Sequence, residues 1–215
     1  MDIISLSVFV IDDDAGVRRS LERLLRSAGW AVETFPSARE FLTRPAYCGT
    51  GCVVLDVQMP GMTGPDLQDH MAGRGIFLPI VYLTGHGDVR TSVRAMKNGA
   101  IDFLVKPADD EVLLKTIRQA MERHAVQRTR DLERQQREAR LSRLSTRERE
   151  VMECVIGGRL NKQIAGDLGI SEQTVKAHRG RVMEKLEARS VAELVRLCDA
   201  VGIQPRQLSA ALRVR

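Results

Sequence analysis

The chain has 215 residues, of which 43% are hydrophobic and 28% charged, and this balance is typical of a globular protein with one large or two small domains. It contains no apolar run near the ~20 residues that a membrane span needs and no basic N-terminal region of a signal peptide, so we expect a cytoplasmic protein that does not enter a membrane. The net charge of +5 is unevenly distributed: residues 1–124 carry 14 basic and 16 acidic side chains, whereas residues 125–215 carry 19 and 12.

The basic second half indicates a polyanionic partner. Aromatic residues make up only 4% of the chain, which is too few for the base-stacking surfaces that bind RNA or single-stranded DNA. Double-stranded DNA is therefore the partner that the composition favours.

Short apolar runs alternate with amphipathic segments through residues 1–124. Such runs are typical of strands that are buried on both faces of a parallel sheet, and the segments between them follow helical spacing. The first part of the chain is therefore predicted to be a doubly wound α/β domain with five parallel strands and five helices. The predicted strands are Leu6–Ile11, Ala31–Phe35, Cys52–Leu55, Pro79–Leu83 and Ile101–Val105.

The segment that follows this domain has neither glycine nor proline from Asp109 to Ile156, and it is highly charged from Glu122 to Arg143. We expect the last helix of the first domain to continue into a solvated helical linker over residues 125–143. A coiled-coil dimer stalk is the alternative, but the apolar positions do not keep a heptad.

The last part of the chain, residues 144–201, is predicted to be an all-α domain of four short helices, followed by a tail over residues 202–215. Its helix boundaries are marked by residues that commonly cap helices. The predicted N-terminal caps are Asn161, Ser171 and Ser190, and Gly169 is predicted to end the second helix.

Polar side chains follow four of the predicted strands, and the carboxyl ends of parallel strands lie at one edge of a sheet. Clustered carboxylates repel one another, so we expect a divalent cation between them, and oxygen ligands beside a phosphoryl group favour Mg²⁺. A carboxylate can attack phosphorus to give an aspartyl phosphate, while Mg²⁺ and a lysine offset the charge on the transferred group. The residues at the strand ends are Asp12, Asp13, Asp14, Asp56, Thr84 and Lys106.

The segments VFVIDDD, VVLDVQMPGMTG, YLTGHGD and GAIDFLVKP resemble, in this order, the CheY-like receiver domain of two-component response regulators. The resemblance implies that Asp56 is the phosphoacceptor. It implies that Asp13 and Asp56 ligate Mg²⁺ directly, that Asp12 acts through water, and that the carbonyl group of Gln58 completes the protein ligands.

The same resemblance assigns roles around the phosphoryl group. Thr84 and Lys106 would contact it, and Phe103 would be the switch aromatic, with an ordinary core residue as the alternative. His86 would lie at the rim of the site, either influencing phosphate lifetime or simply solvated. Asp14 is predicted to cap the first helix and to take no part in the chemistry.

The segment LSTREREVMECVIGGRLNKQIAGDLGISEQTVKAHRGRVMEKLEARSVAELVRL resembles the LuxR-type helix-turn-helix of the NarL/FixJ response regulators, and the receiver segment looks closest to the FixJ-like branch. The helix that follows Ser171 is the candidate recognition helix. At 100° per residue, it turns Val175, His178, Val182 and Leu186 toward the domain core.

The opposite side of this helix is the predicted DNA-contacting face, because a helix fits the major groove and meets base edges there. We expect Lys176 to contact a base or a phosphate, Gln173 to contact a base edge, and Ala177 to contact a thymine methyl group. Gly180 removes a side chain that related regulators often place on this face. The operator sequence therefore cannot be inferred by analogy.

Contacts with the DNA backbone are expected beside this face. Arg181 is expected to bind a phosphate, and Lys162 and Thr174, near the N-termini of two helices, are expected to assist. The alternative for Lys176 and Arg181 is a solvated basic surface without a ligand.

Together these features predict a DNA-binding transcriptional regulator and not an enzyme. A sensor histidine kinase would phosphorylate Asp56, and the change at Thr84 and Phe103 would alter the face made by the fourth helix, the fifth strand and the fifth helix. That face would then pair with a second copy or release the DNA-binding domain, and the dimer would bind two half-sites of DNA. RNA polymerase is a further candidate partner.

Two other functions fit part of the sequence. Asp12 and Asp14 superficially match the motif of haloacid-dehalogenase phosphatases, but Gly16 stands where those enzymes carry Thr or Val, and Asp56 would have no role. The other alternative is a regulator that works without phosphate, and the intact acidic cluster argues against it.

Overall fold

A computed structural model describes residues 6–85 and 89–206, without the side chains of residues 89–92. His86 and residues 207–215 of the predicted tail lie outside the described residues. The chain divides into two compact units, and the division falls between Arg128 and Thr129. Within the described ranges, no helix combines the length and the apolarity that crossing a bilayer requires.

The first unit is a five-stranded parallel sheet with helices between the strands, as the sequence predicts. The strands lie in the order β2-β1-β3-β4-β5, so the chain reverses its direction of winding between β1 and β3. In such sheets, ligands bind at the carboxyl edge near this reversal. The elements are β1 Leu6–Ile11, α1 Ala15–Ser27, β2 Ala31–Phe35, α2 Ala38–Thr43, β3 Thr50–Asp56, α3 Gly64–Gly73, β4 Ile80–Thr84, α4 Val89–Lys97, β5 Asp102–Val105 and α5 Asp110–Ser142.

The central strands are apolar along their whole length because both faces of the sheet are covered. Phe9 and Leu55 belong to one core cluster, whereas Val10 and Val54 belong to the other, and all four are buried. Alternate side chains of a strand point to opposite faces, which is why these runs lack the polar alternation of a half-exposed strand.

Helix α1 begins directly after β1 because Asp14 caps it. The Asp14 carboxylate accepts hydrogen bonds from the backbone N–H groups of Gly16 and Val17. The predicted cap is therefore confirmed, and a cap of this kind satisfies donors that the first helical turn leaves unpaired.

The second unit contains the C-terminal end of α5 and four short helices around one apolar core. Ser171 and Ser190 cap two of these helices, as predicted, and Gly169 ends another in the left-handed conformation, with a φ of 64°. The four helices are α6 Thr146–Ile156, α7 Asn161–Leu168, α8 Glu172–Lys185 and α9 Val191–Asp199.

The predicted cap at Asn161 is wrong. Leu160 occupies the cap position, and its backbone N–H donates to the Gln163 side chain at 2.9 Å. Asn161 is the first residue of α7, and its side-chain oxygen instead accepts a hydrogen bond from Arg179 at 2.6 Å. A partner from another helix has taken the oxygen that would otherwise cap.

An ion pair between a buried glutamate and a partly exposed lysine ties α6 to α8. Glu148 is 3% exposed, and its carboxylate accepts hydrogen bonds from Lys185 Nζ at 2.6 Å and from the Ser145 backbone N–H at 2.8 Å. The hydrogen bond from Lys185 is the main reason that the pKa of Glu148 falls to about 2. Because this pKa is depressed in the folded state, the ionised carboxylate contributes stability at neutral pH.

We expect Glu148→Gln to destabilise the second unit by roughly 1.5–3 kcal/mol at pH 7, because it removes a charged hydrogen-bond acceptor. The contribution is fully present above the ordinary glutamate pKa of about 4.5 and is lost as the pH falls from there toward about 2. Hydrogen-exchange mass spectrometry of α6 and α8 in wild type and variant, over this pH range, measures the difference. Glu184→Gln, which alters an exposed glutamate on α8, is the control. A difference that stays constant down to pH 3 would contradict this account.

Candidate functional site

A lysine joins two buried carboxylates at the carboxyl edge of the sheet. Lys106 Nζ lies 2.6 Å from Asp12 Oδ2 and 2.8 Å from Asp56 Oδ2. Asp12 follows β1, Asp56 ends β3, and Lys106 follows β5, so three strands deliver these groups to one pocket. The structure thus brings together the groups that the sequence places at the strand ends.

The second oxygen of each buried carboxylate is held by the backbone. Asp12 Oδ1 accepts a hydrogen bond from the Asp14 N–H at 2.9 Å, and Asp56 Oδ1 accepts one from the Gln58 N–H at 3.3 Å. These short-range contacts fix the carboxylate planes, while the other oxygens point to Lys106. Gln58 itself is exposed in the loop after β3.

Asp13 completes an acidic cluster that fits a divalent cation. Oxygen atoms of Asp12, Asp13 and Asp56 all lie within 4.8 Å of one another. Asp13 is exposed, whereas the other two are buried, so the cluster opens to solvent on the side of Asp13. A set of hard carboxylate oxygens is the ligand chemistry that Mg²⁺ prefers.

Burial and charge act in opposite directions on the ionisation of this pocket. Burial raises the pKa of Asp12 above its usual value, and the hydrogen bond from Lys106 offsets this only in part. Burial by itself would lower the pKa of Lys106, but its hydrogen bonds with Asp12 and Asp56 outweigh that effect, and the pKa is raised. Lys106 is therefore a cation at neutral pH.

Thr84 and Phe103 lie on the two strands beside the pocket. Thr84 is buried at the end of β4, and its carbonyl oxygen accepts a hydrogen bond from the Lys106 backbone N–H at 2.7 Å. Phe103 lies on β5, is partly buried, and packs against Tyr82 of β4 with ring centroids 5.9 Å apart. Tyr82 and Thr84 are two residues apart, so they point to the same face of the sheet.

A buried chain of hydrogen bonds that begins at Tyr82 is not evident from the sequence. The Tyr82 hydroxyl donates to Gln68 Oε1 at 2.9 Å, and Gln68 Nε2 donates to the carbonyl oxygen of Asn98 at 3.0 Å. The chain joins β4 through α3 to the end of α4. Tyr82 reads as an ordinary core residue and Gln68 as a surface residue, so no sequence signal connects them.

Arg18 is a second residue near the site whose role the sequence pattern does not indicate. Its side chain lies on the first turns of α1 and donates from Nη1 to the backbone carbonyl of Asp12 at 2.6 Å. The bond joins the helix to the loop that carries Asp12 and Asp13. An arginine on an amphipathic helix is normally interpreted as solvated, which is why the pattern alone gave no indication.

The candidate recognition helix α8 has the two predicted sides. Val175, Val182 and Leu186 are buried in the core of the second unit. The predicted DNA-contacting residues are all exposed, and they are Lys162 on α7 and Gln173, Thr174, Lys176, Ala177 and Arg181 on α8. Exposure is necessary for contacts with DNA but does not test them. The roles of these residues therefore remain predictions.

Two residues of α8 have additional contacts or features. The Thr174 backbone N–H donates to Ser171 Oγ at 3.1 Å, so Thr174 is part of the helix cap as well as a predicted phosphate contact. His178 is half-buried on the predicted inner side, and its Nδ1 has no hydrogen-bond partner among the described residues.

Comparison with known proteins gives consistent matches in both units. One family model, the response regulator receiver domain, matches residues 8–118, and a second, the bacterial regulatory proteins of the luxR family, matches residues 142–198. Nodulation protein W of Bradyrhizobium diazoefficiens is 46% identical over 196 residues, which cover 91% of this chain and 86% of that protein. The transcriptional regulatory protein FixJ of Azorhizobium caulinodans is 45% identical over 201 residues, which cover 94% and 95%. The solved structure of the response regulator StyR is similar with a TM-score of 0.86 and 47% identity, covering 91% of this chain and 98% of that one.

Gly64, the first residue of α3, lies close to the backbone of Asp56. A Cβ atom at this position would overlap the Asp56 carbonyl oxygen and would lie 2.9 Å from Tyr82 Cε1. We expect Gly64→Ala to destabilise the first unit by about 1–3 kcal/mol, the usual cost of overpacking, and to displace the backbone of Asp56. Urea denaturation followed by the fluorescence of Trp30, which is buried in the first unit, measures the effect.

Gly73→Ala is the matched control, because it lies at the end of the same helix with nothing within 4 Å of the added carbon. It should be neutral or stabilising by up to about 1 kcal/mol, since alanine favours the helix. Equal stability of the two alanine variants would contradict the close approach at Gly64.

Proposed function

The chain belongs to the response regulators that combine a receiver domain with a LuxR-type DNA-binding domain, and from that membership we propose that Asp56 is its phosphoacceptor and that phosphorylation of Asp56 controls DNA binding. The observation that carries the proposal is the pair of short contacts from Lys106 Nζ to Asp12 and Asp56. A buried nucleophile, a fixed cation and a cation-binding carboxylate cluster are the groups that phosphoryl transfer requires.

In the proposed reaction, a carboxylate oxygen of Asp56 attacks the phosphorus atom of a phosphohistidine on a sensor histidine kinase. The P–O bond forms as the P–N bond breaks, and the histidine nitrogen retains the electron pair of the broken bond. The Gln58 N–H orients one oxygen of Asp56, and Lys106 lies close enough to the other to donate to an incoming phosphoryl oxygen.

We infer that Asp13 and Asp56 hold Mg²⁺ directly, with Asp12 acting through water and the carbonyl of Gln58 as a further ligand. The mutual approach of the three carboxylates supports this set. When bound, Mg²⁺ would offset negative charge on the transferred phosphoryl group. We leave Asp14 out of the set because its carboxylate caps α1, and this capping role also argues against Asp14 as the second aspartate of a haloacid-dehalogenase mechanism.

The proposed switch is the pair Thr84 and Phe103. Thr84 would move toward the phosphoryl group, and the Phe103 ring would enter the space that it leaves. Exposed apolar residues on α4, β5 and α5 support this face as the surface that pairs with a second copy, because apolar patches on a surface mark interaction sites. Those residues are Val93, Met96, Val105 and Val112. We propose RNA polymerase as a further partner of the DNA-bound dimer.

The DNA-binding step is proposed for the exposed side of α8. Lys176, Gln173 and Ala177 would meet base edges in the major groove, while Arg181, Thr174 and Lys162 would contact phosphates. Their exposure, together with the excess of basic residues in the second half of the chain, supports this assignment.

Replacing the phosphoacceptor tests the first step. With acetyl phosphate and Mg²⁺, the wild type should gain one hydroxylamine-labile phosphoryl group, whereas Asp56→Asn should gain none, because an amide is a poor nucleophile. Intact-protein mass spectrometry measures the added mass, and removal of Mg²⁺ with EDTA should lower the rate by at least about tenfold. Asp69→Asn, an exposed aspartate on α3, should be phosphorylated normally. Labelling of Asp56→Asn at the wild-type level would refute the assignment.

A second variant tests the DNA-contacting face. Lys176→Ala should weaken binding to a duplex that the wild type selects from a random pool by roughly 1–3 kcal/mol if it reads a base. Fluorescence anisotropy of the labelled duplex, with phosphorylated full-length protein, gives both affinities. Arg39→Ala removes one positive charge from an exposed position on α2, away from the proposed pairing surface, and should leave affinity unchanged. If Lys176→Ala binds the selected duplex as tightly as the wild type, Lys176 belongs to the solvated face.

A further inference from the structure

Arg179 is the residue of α8 whose contacts differ most from the sequence-based expectation. Its guanidinium Nη1 donates to Asn161 Oδ1, the side chain at the start of α7, at 2.6 Å. Both residues are partly buried. The two residues are 18 positions apart in the chain, and the bond between them joins the two helices of the helix-turn-helix.

The aliphatic part of Arg179 lies on the inner side of α8. It lines a small apolar void together with Val151, Met152 and Val155 of α6 and Leu194 of α9. Arg179 also follows Val175 by one helical turn, and Val175 is completely buried. Arginine commonly buries its methylene groups in this way while its charged end reaches a polar partner.

The exposed residues of α8 lie on the other side. Lys176, Ala177 and Arg181 are open to solvent, whereas Arg179 is held between the core and α7. Two arginines two positions apart on one helix therefore have different surroundings, and only Arg181 is positioned to meet a phosphate freely.

We propose that Arg179 is a positioning residue for DNA recognition: its bond to Asn161 and its packed stem fix the angle between α7 and the recognition helix. The inference rests on the proposed DNA-binding function. It assigns Arg179 an effect on DNA affinity that passes through Asn161 and the helix angle and involves no phosphate contact.

The physical consequence is a loss of sequence preference when the bond is removed. Base contacts depend on close alignment of side chains with base edges, whereas phosphate contacts tolerate small shifts and carry no sequence information. A misaligned α8 should therefore lose affinity for a selected duplex and keep most of its affinity for an arbitrary one. Because no phosphate contact is lost, the dependence of affinity on salt concentration should not change.

The experiment measures affinities of the phosphorylated full-length protein for two duplexes over a range of salt concentrations. One duplex is selected by the wild type from a random-sequence pool, and the other is a scrambled version of it. Arg179→Met keeps the apolar stem and removes the hydrogen bond and charge. We expect it to weaken binding to the selected duplex by roughly tenfold, the effect of one lost base contact, with an unchanged salt slope.

Arg181→Met is the charge-matched comparison on the same helix. It should weaken binding to both duplexes alike and reduce the salt slope by about one unit, as loss of one phosphate contact does. Arg147→Met is the stability control, because Arg147 Nη2 donates to the Leu168 carbonyl at 2.8 Å and so also ties two helices of this unit, away from α8. It should lower thermal stability without changing the ratio of the two affinities.

Two further variants keep the inference testable if Arg179→Met does not fold. Asn161→Ala should reproduce the loss of preference. Where Arg179→Met does fold, the double variant should bind within about twofold of either single variant, because both substitutions remove the same bond. Arg179→Lys retains the stem, the charge and a donor, and should restore most of the preference.

The outcomes separate the possible roles. A salt slope reduced by about one unit in Arg179→Met would make Arg179 a phosphate contact and overturn the inference. Unchanged preference in Arg179→Met and Asn161→Ala, or an equal loss in Arg147→Met, would overturn it as well. A wild-type protein that selects no sequence would instead refute the proposed function, and the inference with it.

Discussion

The functional edge of the first unit depends on one constraint: two buried carboxylates, Asp12 and Asp56, need a cation between them. Lys106 meets this need with contacts of 2.6 and 2.8 Å. Burying ionised carboxylates without a positively charged partner would be costly. The lysine comes from β5, whereas the carboxylates come from β1 and β3, so its side chain must extend past the end of β4. The strand order of the sheet therefore determines whether Lys106 can reach both carboxylates and balance their charge.

The charge of the acidic cluster also explains why a metal ion would bind there in addition to Lys106. Three carboxylates that lie within 4.8 Å of one another carry more negative charge than a single ammonium group can balance. A divalent cation held by Asp12, Asp13 and Asp56 would offset the remainder. A transferred phosphoryl group would in turn bring negative charge between the two cations. With the metal ion bound, the two cations would stabilise the product of the proposed phosphoryl transfer.

The sequence predicts those features that depend on local patterns. The five strands follow from apolar runs, and Asp12, Asp56 and Lys106 could be placed together because the carboxyl ends of parallel strands share an edge. The features that the sequence did not reveal depend on distant partners. Asn161 is of a residue type that commonly caps helices, but its side-chain oxygen accepts a hydrogen bond from Arg179. The Gln68 side chain occupies a helix position that looks solvated, but Tyr82 and Asn98 enclose it. In each case the decisive partner lies on another element, where no periodicity records it.

The two units place their charged side chains differently, and this difference bears on how each can vary. In the first unit, the charges that perform the proposed chemistry are the same charges that hold the strand ends together, so altering Lys106 or Asp12 changes structure and reactivity at once. In the second unit, the ties between helices use Glu148 with Lys185 and Arg179 with Asn161, while Gln173 and Lys176 remain exposed. Substitutions on the exposed side of α8 can therefore alter the proposed DNA contacts at little cost to folding. The pocket at Asp56 has no such freedom, because its electrostatic balance leaves few alternatives for each residue.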